Sequence, residues 1–368
     1  MTGSNTHRCW AEIDLDALRH NARIARERVG PHVSLLAVIK ANGYGHGLTA
    51  VAEALRDEAK LFGVANLQEA LEARSAVPHP IIILGPALPA ERAAIVEHGF
   101  IPSVSSYEEA QEFSGAKMQS SVAINCTVDT GMGRMGIGES GASAEILRIA
   151  GLSNLTIHSV STHLPAADED PDYTQAQLKR FDALLAQVRT EVPGSYLVHV
   201  LPSAGVADFA GSAYDIVRAG LMLYGSSPDT AFQKLLRPAM RLKSRVALLR
   251  EVAAGSSISY GRTFFAPHAM RVATLSVGYA DGLPRSISNR DAAVLIGGRR
   301  CAVLGRVTMD LTIVDVTDLP DVRVGDESVL IGRQGEEEIL ATEVAAWAST
   351  IAWEVLAGIG SRVLRVYV

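Results

Sequence analysis

VSLLAVIKANGYGHGLTAVAEALRDEAKLFGVANL, residues 33–67, decides how the chain is read. An apolar run (33–40) gives way to glycines at 43, 45 and 47. A pattern of apolar residues at three- and four-residue spacing follows, and a second apolar run begins at 61. Unbroken apolar runs are those of strands covered on both faces, and the spaced pattern is that of an amphipathic helix. Outward from this unit the alternation repeats: IIILG (81–85), IPSVSS (101–106), SVAINCTVD (121–129), TIHSVSTHL (156–164), SYLVHVL (195–201) and AYDIVR (213–218). Helix-like segments such as LQEALEARSAV, PAERAAIVEHG and YTQAQLKRFDALLAQV lie between them. Eight strand–helix units in about 215 residues fit an α/β fold with a (β/α)8 TIM-type barrel. An open doubly wound sheet is the rival. It usually has fewer strands, and no G-x-G-x-x-G follows the first run.

Near residue 235 the pattern changes. From LRPAMRLKSRVALLREV onward, strand-like runs follow one another through glycine turns: SSISYG, RVATLSVGY, AAVLIGGRRCAVLGRV, LTIVDV and DESVLIG. One helix candidate, ATEVAAWAST, interrupts them, and RVLRVYV reads as the last strand. The expected organisation is a barrel over 1–235 and a C-terminal, mostly-β domain over 236–368.

Composition excludes several classes. The length of 368 residues suits about two domains. With 48% apolar and 20% charged residues the chain is an ordinary globular one, not a disordered one. Forty acids against 34 bases give a net charge of −6 with no basic block, which argues against nucleic acid as a partner. No apolar run reaches the roughly 18 residues of a membrane span, and the first residues lack the apolar stretch of a secretory signal. Cys9, Cys126 and Cys301 are odd in number and far apart, so neither a disulfide framework nor a metal site is expected. They read as packed thiols of a reducing, cytoplasmic compartment.

Active sites of such barrels lie at the C-terminal ends of the strands. Lys40 closes the first run, and a partly buried lysine can lose its proton and condense with a carbonyl. Gly43, Gly45 and Gly47 allow close approach of backbone to a ligand. Arg134 follows the fifth run in the glycine-rich VDTGMGRMG, His163 ends the sixth, Ser203 ends the seventh and Arg218 ends the eighth. A buried arginine needs an acceptor. Gly220 and Leu221 can open a short helix, whose free N–H groups suit a phosphate. A lysine, a histidine, an arginine and a phosphate cradle around one mouth fit a phosphate-bearing aldehyde, with pyridoxal 5′-phosphate (PLP) the candidate.

These residues resemble the alanine racemase family, PLP enzymes with a barrel and a β domain. The resemblance runs from AEIDLDALRHN to the C-terminus through AVIKANGYGHG, VDTGMGR, STH, VRAG with LYG, LKSRV, SYGRTF, VGYADG and GRVTMD. It implies that Lys40 holds PLP and that Tyr44, Ser203, Gly220 and Leu221 bind its phosphate. His163 would lie against the ring, and Arg218 would bond the pyridine nitrogen. Arg134 would sit near the cofactor hydroxyl and substrate carboxylate. Tyr260 would be a second base, and the Met309 N–H would bind the carboxylate beside Tyr279. In the family these last three come from a second subunit, which implies a homodimer with shared sites. The implied reaction interconverts L- and D-alanine by two bases, Lys40 and Tyr260, and supplies D-alanine for bacterial cell-wall peptide. A hydrogen-bond chain through His163 to Arg218 would activate the tyrosine.

Four positions depart from the family pattern. Thr127 stands where a carbamate-bearing lysine orients the arginine corresponding to Arg134; a chloride or water beside Thr127 and Arg134 is the expected substitute. Trp353 replaces an entrance tyrosine, Pro202 an asparagine and Thr308 a cysteine. They leave open a racemase of serine or a broader amino-acid range, or a silent PLP-binding homologue. A PLP decarboxylase of similar architecture would lack SYGRTF and VGYADG, and a single-barrel PLP carrier would lack the second domain.

Overall fold

The computed structural model describes residues 7–115 and 121–368. In chain order its first ten strands are β1 (Cys9–Ile13), β2 (Ser34–Val38), β3 (Leu61–Val64), β4 (Ile81–Ile83), β5 (Ile101–Val104), β6 (Val122–Asp129), β7 (Ile137–Gly138), β8 (Leu155–Ser161), β9 (Leu197–His199) and β10 (Ile216–Ala219). Eight of them, β2–β6 and β8–β10, pair in parallel in the order β5-β4-β3-β2-β10-β9-β8-β6, and β5 pairs with β6 to close the barrel. The doubly wound alternative falls with that closing pair. β7 only extends β6. The barrel belongs to a unit formed by residues 18–43 and 48–236.

The interior shows why the apolar runs form strands. Leu36, Phe62, Ile82, Val104, Ile124 and Val198 are fully buried. The helices between them start where side chains can cap them. Asn66 accepts from the Glu69 N–H, Ser106 from the Glu109 N–H, and Asp170, followed by Pro171, from the Tyr173 N–H.

Among the described residues the second unit comprises 7–17, 44–47 and 237–368. Its strands are β11 (Met240–Val252), β12 (Ser257–Ile258), β13 (Phe264–Phe265), β14 (Met270–Leu275), β15 (Ala293–Ile296), β16 (Arg299–Ala302), β17 (Thr312–Asp315), β18 (Glu327–Gln334), β19 (Glu337–Ile339) and β20 (Leu364–Tyr367). β11 is the spine: it pairs antiparallel with β1, β14 and β18, and its first half alternates buried residues with exposed or half-buried ones.

The expected boundary at the N-terminus needs correction. CWAEI, assigned to the barrel by the 1–235 division, is β1, lying antiparallel to β11 and parallel to β20. Pairing partners more than 220 residues away leave no local trace in a five-residue run. YGHG (Tyr44–Gly47) also clusters with this unit, where the Arg365 Nε–H donates to the Gly45 carbonyl at 2.9 Å. The helix expected in ATEVAAWAST is present over Ala341–Ala348, and a second one, Ala352–Ala357, carries Trp353. Among the described residues no helix is long and apolar enough to cross a membrane.

Candidate active site

The expected polar residues lie at or just beyond the C-terminal ends of the barrel strands. β2 stops at Val38, β8 at Ser161 and β9 at His199, so Lys40, His163 and Ser203 sit past the last paired residues instead of closing their strands. Arg218 lies within β10. Lys40 opens a turn in which Ala41, Asn42 and Gly43 all hold left-handed backbone angles, with φ of 53°, 54° and 60°. Left-handed residues other than glycine cost about 1–2 kcal/mol each, and such strain gathers at functional sites. Specific bonds hold this turn. Glu69 accepts the Ala41 N–H at 2.7 Å and the Ala65 N–H at 2.8 Å, and Asn42 Oδ1 accepts the Leu48 N–H at 2.9 Å. The Lys40 ammonium is held below its ordinary pKa by burial first, then by the positive charges of Arg134 and Arg218, against the opposing pull of Glu69. That favours a neutral, nucleophilic amine.

Arg218 is the hub. Its buried guanidinium donates from Nη1 to His199 Nδ1 at 2.7 Å and to the His199 carbonyl at 2.8 Å. Nη2 donates to the carbonyls of Thr162 and Val200, each at 2.8 Å, and to His163 Nδ1 at 3.1 Å. Every one of these acceptors is uncharged. Burial, and then Arg134, lowers the Arg218 pKa to about 10, so it remains a cation at neutral pH. Burial followed by repulsion from Arg218, Arg134 and Lys40 pushes His163 down to about 3. His199 is held well below its ordinary value by burial and Arg218. Arginine only donates, so both imidazoles accept at Nδ1 and carry their protons on Nε2.

Ser203 begins the helix Ser203–Asp208, and its Oγ accepts the N–H groups of Gly220 at 2.9 Å and Met222 at 3.3 Å. With its lone pairs taken, the hydroxyl proton is left to donate. Gly220 precedes the short 3-10 helix Leu221–Tyr224, as the sequence suggested. Pro202 stands at the cap position of the Ser203 helix, where no side-chain bond is made and its fixed φ suits the extended backbone.

After β6, Asp129 organises the loop that carries Arg134. Its carboxylate accepts the N–H groups of Gly131, Met132 and Gly133. Burial raises its pKa, but these bonds and the Arg134 N–H outweigh it and hold the group below the ordinary carboxylate value. Arg134 is exposed. Thr127 Oγ1 accepts from Asn125 Nδ2 at 3.1 Å and lies 3.4 Å from Ser161 Oγ. Its hydroxyl is thus engaged within the barrel.

In the β unit, Tyr260, Tyr279 and Met309 are all exposed. Ser259 Oγ donates to the Arg306 carbonyl at 2.5 Å, joining the Tyr260 turn to the loop before Met309. The Tyr279 N–H donates to the Thr308 carbonyl and the Ala280 N–H to that of Met309, both at 3.0 Å. A Cβ at Gly278 would collide with those same carbonyls, so only glycine lets the two loops close. Thr308 Oγ1 donates to the Leu311 carbonyl at 2.8 Å and accepts the Leu311 N–H at 3.2 Å, which a thiol would do weakly. Trp353 is half-buried; nothing in the structure explains its replacing tyrosine.

Sequence reasoning missed His199, Asn125, Ser159 and Arg362. The first three were visible as polar residues inside apolar barrel runs. Arg362 carried no signal: it forms a two-bonded ion pair with buried Asp281, at 2.7 and 3.0 Å, and a further one with Asp310 at 2.8 Å.

A closed barrel whose mouth bears a desolvated lysine and an arginine among neutral acceptors, in one chain with a mostly-β unit, defines a barrel enzyme whose chemistry lies at the strand ends. Residues 13–228 match the alanine racemase N-terminal domain and residues 239–367 the alanine racemase C-terminal domain. The chain belongs to the alanine racemase family. It is 40% identical to the alanine racemase of Halothermothrix orenii over 98% of this chain and 97% of that one. It is 42% identical to that of Symbiobacterium thermophilum, over 97% and 96%. Among solved structures, the alanine racemase of Bacillus anthracis with bound L-Ala-P superposes with a TM-score of 0.90 at 33% identity, covering 98% of this chain and 95% of that one.

Proposed function

We propose that this chain interconverts L- and D-alanine with PLP as cofactor, acting as a cytoplasmic homodimer with shared active sites. The observation that carries the reading is the donor set of the barrel mouth: a lysine depressed in pKa, and a buried Arg218 all of whose acceptors are neutral. That set fits a phosphate-bearing aldehyde. Lys40 would hold the cofactor carbon covalently. The Ser203 hydroxyl proton and the Leu221 N–H would hold the phosphate, with Gly220, whose own N–H is bonded to Ser203, and Tyr44 beside it. His163 would lie against the ring. Arg218 can only donate, so a ring nitrogen facing it must accept and stays unprotonated.

When bound, PLP supplies the conjugation that spreads the charge left by a departing α-proton. Lys40 Nζ holds or returns the proton on one face of the α-carbon, and Tyr260 of a second copy does so on the other. Arg134, Tyr279 and the Met309 N–H orient the substrate carboxylate. Tyr260, Tyr279 and Met309 are exposed on their own chain, consistent with their serving a second copy; that assignment rests on the family pattern.

The test is α-proton exchange in D2O on the PLP-loaded protein, with chiral analysis of the product. Exchange with D-alanine formation from L-alanine is expected. Exchange confined to serine or another amino acid would move the substrate and make Thr127 and Trp353 specificity residues. No exchange with any amino acid, cofactor bound, would overturn the reading.

A further inference from the structure

The barrel interior holds a line of buried polar groups that begins at Arg218 in β10 and crosses to β5 and β4. Each bond in it has one permitted direction. Arg218 donates to His199 Nδ1, so the ring proton is on Nε2, 3.3 Å from Ser159 Oγ. Ser159 donates to Asn125 Oδ1 at 3.0 Å. Asn125 Nδ2 donates to Ser103 Oγ at 3.0 Å and to Thr127 Oγ1 at 3.1 Å. Ser103 donates to the Ile83 carbonyl at 2.7 Å, where the line ends on a group that can only accept. His199, Ser159, Asn125 and Ser103 are all 1% exposed or less. The charged or titratable groups facing His199 are Arg218 and His158, whose Nδ1 lies 3.1 Å from Ser159 Oγ.

We propose that Asn125 is a positioning residue for the racemase reaction: its amide absorbs the Ser159 proton, so that His199 stays neutral and Nε2-protonated and Arg218 stays seated as the only charge at that end of the site. The proposal rests on the functional reading above. Its reasoning is one of donor accounting in a dry interior. If the amide oxygen is lost, the Ser159 proton turns to His158 Nδ1, 3.1 Å away, and Asn125 no longer sets the direction of the line. If the amide becomes a carboxylate, a charge two bonds from His199 draws a second proton onto that ring. An imidazolium would meet Arg218 donor to donor and break the 2.7 Å bond.

The first measurement is 15N NMR of histidine-labelled holoenzyme between pH 6 and 9. A neutral, Nε2-protonated His199 is expected throughout; an Nδ1-protonated or charged ring in the wild-type protein would overturn the proposal. In Asn125→Asp the His199 signal should become that of imidazolium, and kcat for alanine should fall about tenfold, the scale of one lost buried hydrogen bond, with KM within about twofold. A neutral His199 with unchanged kcat in that variant would also overturn it. Should Asn125→Asp fail to fold, Ser159→Ala severs the same line. It should lower kcat by a similar factor and shift the visible absorption of the cofactor, and Ser159→Thr, which keeps the hydroxyl, should restore both. Unchanged kcat in Ser159→Ala, or no rescue by threonine, counts against the proposal. The NMR signature needs no turnover, so absence of alanine turnover, which fails the functional reading, and a misplaced His199 proton, which fails this proposal, are distinguishable outcomes.

Discussion

Arg218 and its two histidines set the acid response of the barrel. His163 is pushed down to about 3 and His199 well below the ordinary 6.5, so both are neutral in the folded protein. In the unfolded chain they take up protons below pH 6.5. Their contribution to stability is therefore complete above that pH and is lost as pH falls below 6.5, for His163 down toward 3, at about 1 kcal/mol per pH unit for each histidine. Denaturant unfolding of wild type and of His199→Gln at pH 7.5 and 5 should show the variant losing less stability on acidification. Chemistry at the same scale gives a second expectation. Tyr260→Phe removes one proposed proton carrier and changes no residue of the barrel unit. Racemisation should fall by at least about a thousandfold, the upper range of a lost general base, while cofactor absorption is retained. Retained activity would place the second base elsewhere.

Among the elements, two loops show how local strain and close approach are maintained. The Lys40 turn keeps Ala41, Asn42 and Tyr44 left-handed, and Glu69 and Asn42 hold it by side-chain bonds. On the β unit, Arg362 ties Asp281, at the end of the Tyr279 turn, to Asp310, next to Met309. Asp281 also accepts the Gly278 N–H at 2.8 Å. Replacing Arg362 with alanine leaves Asp281 buried without its cation. The two loops should loosen together, and KM for alanine should rise about tenfold while cofactor absorption stays unchanged. Arg362→Lys should recover only part, because lysine cannot make the paired contact. Steady-state kinetics of the two variants decide this, and an unchanged KM in Arg362→Ala would remove the clamp from the argument.

For the whole molecule, the proposed sharing of sites between two copies makes a prediction that no single chain can satisfy. Lys40→Ala and Tyr260→Phe should each be inactive alone. After mixed refolding, heterodimers carry one intact site, and about a quarter of wild-type activity should return at equal mixing. Activity that fails to return would mean that both bases come from one chain. The alternation of apolar runs and helix-spaced segments determined the barrel, because strands buried on both faces and amphipathic helices each have their own period. The glycine-rich turns and the ordered motifs likewise marked Lys40, Arg134, His163, Ser203, Arg218, Tyr260 and Met309. Other features were not legible. β1 joined the distant β unit through ladder partners that a five-residue run does not name. His199, Ser159 and Asn125 were ordinary polar letters in apolar strings until closure of the barrel turned them inward onto one arginine. Periodicity is a property of neighbouring residues and can be read along the chain. The direction of a buried hydrogen bond depends on what the fold places opposite it, and only the tertiary structure decides that.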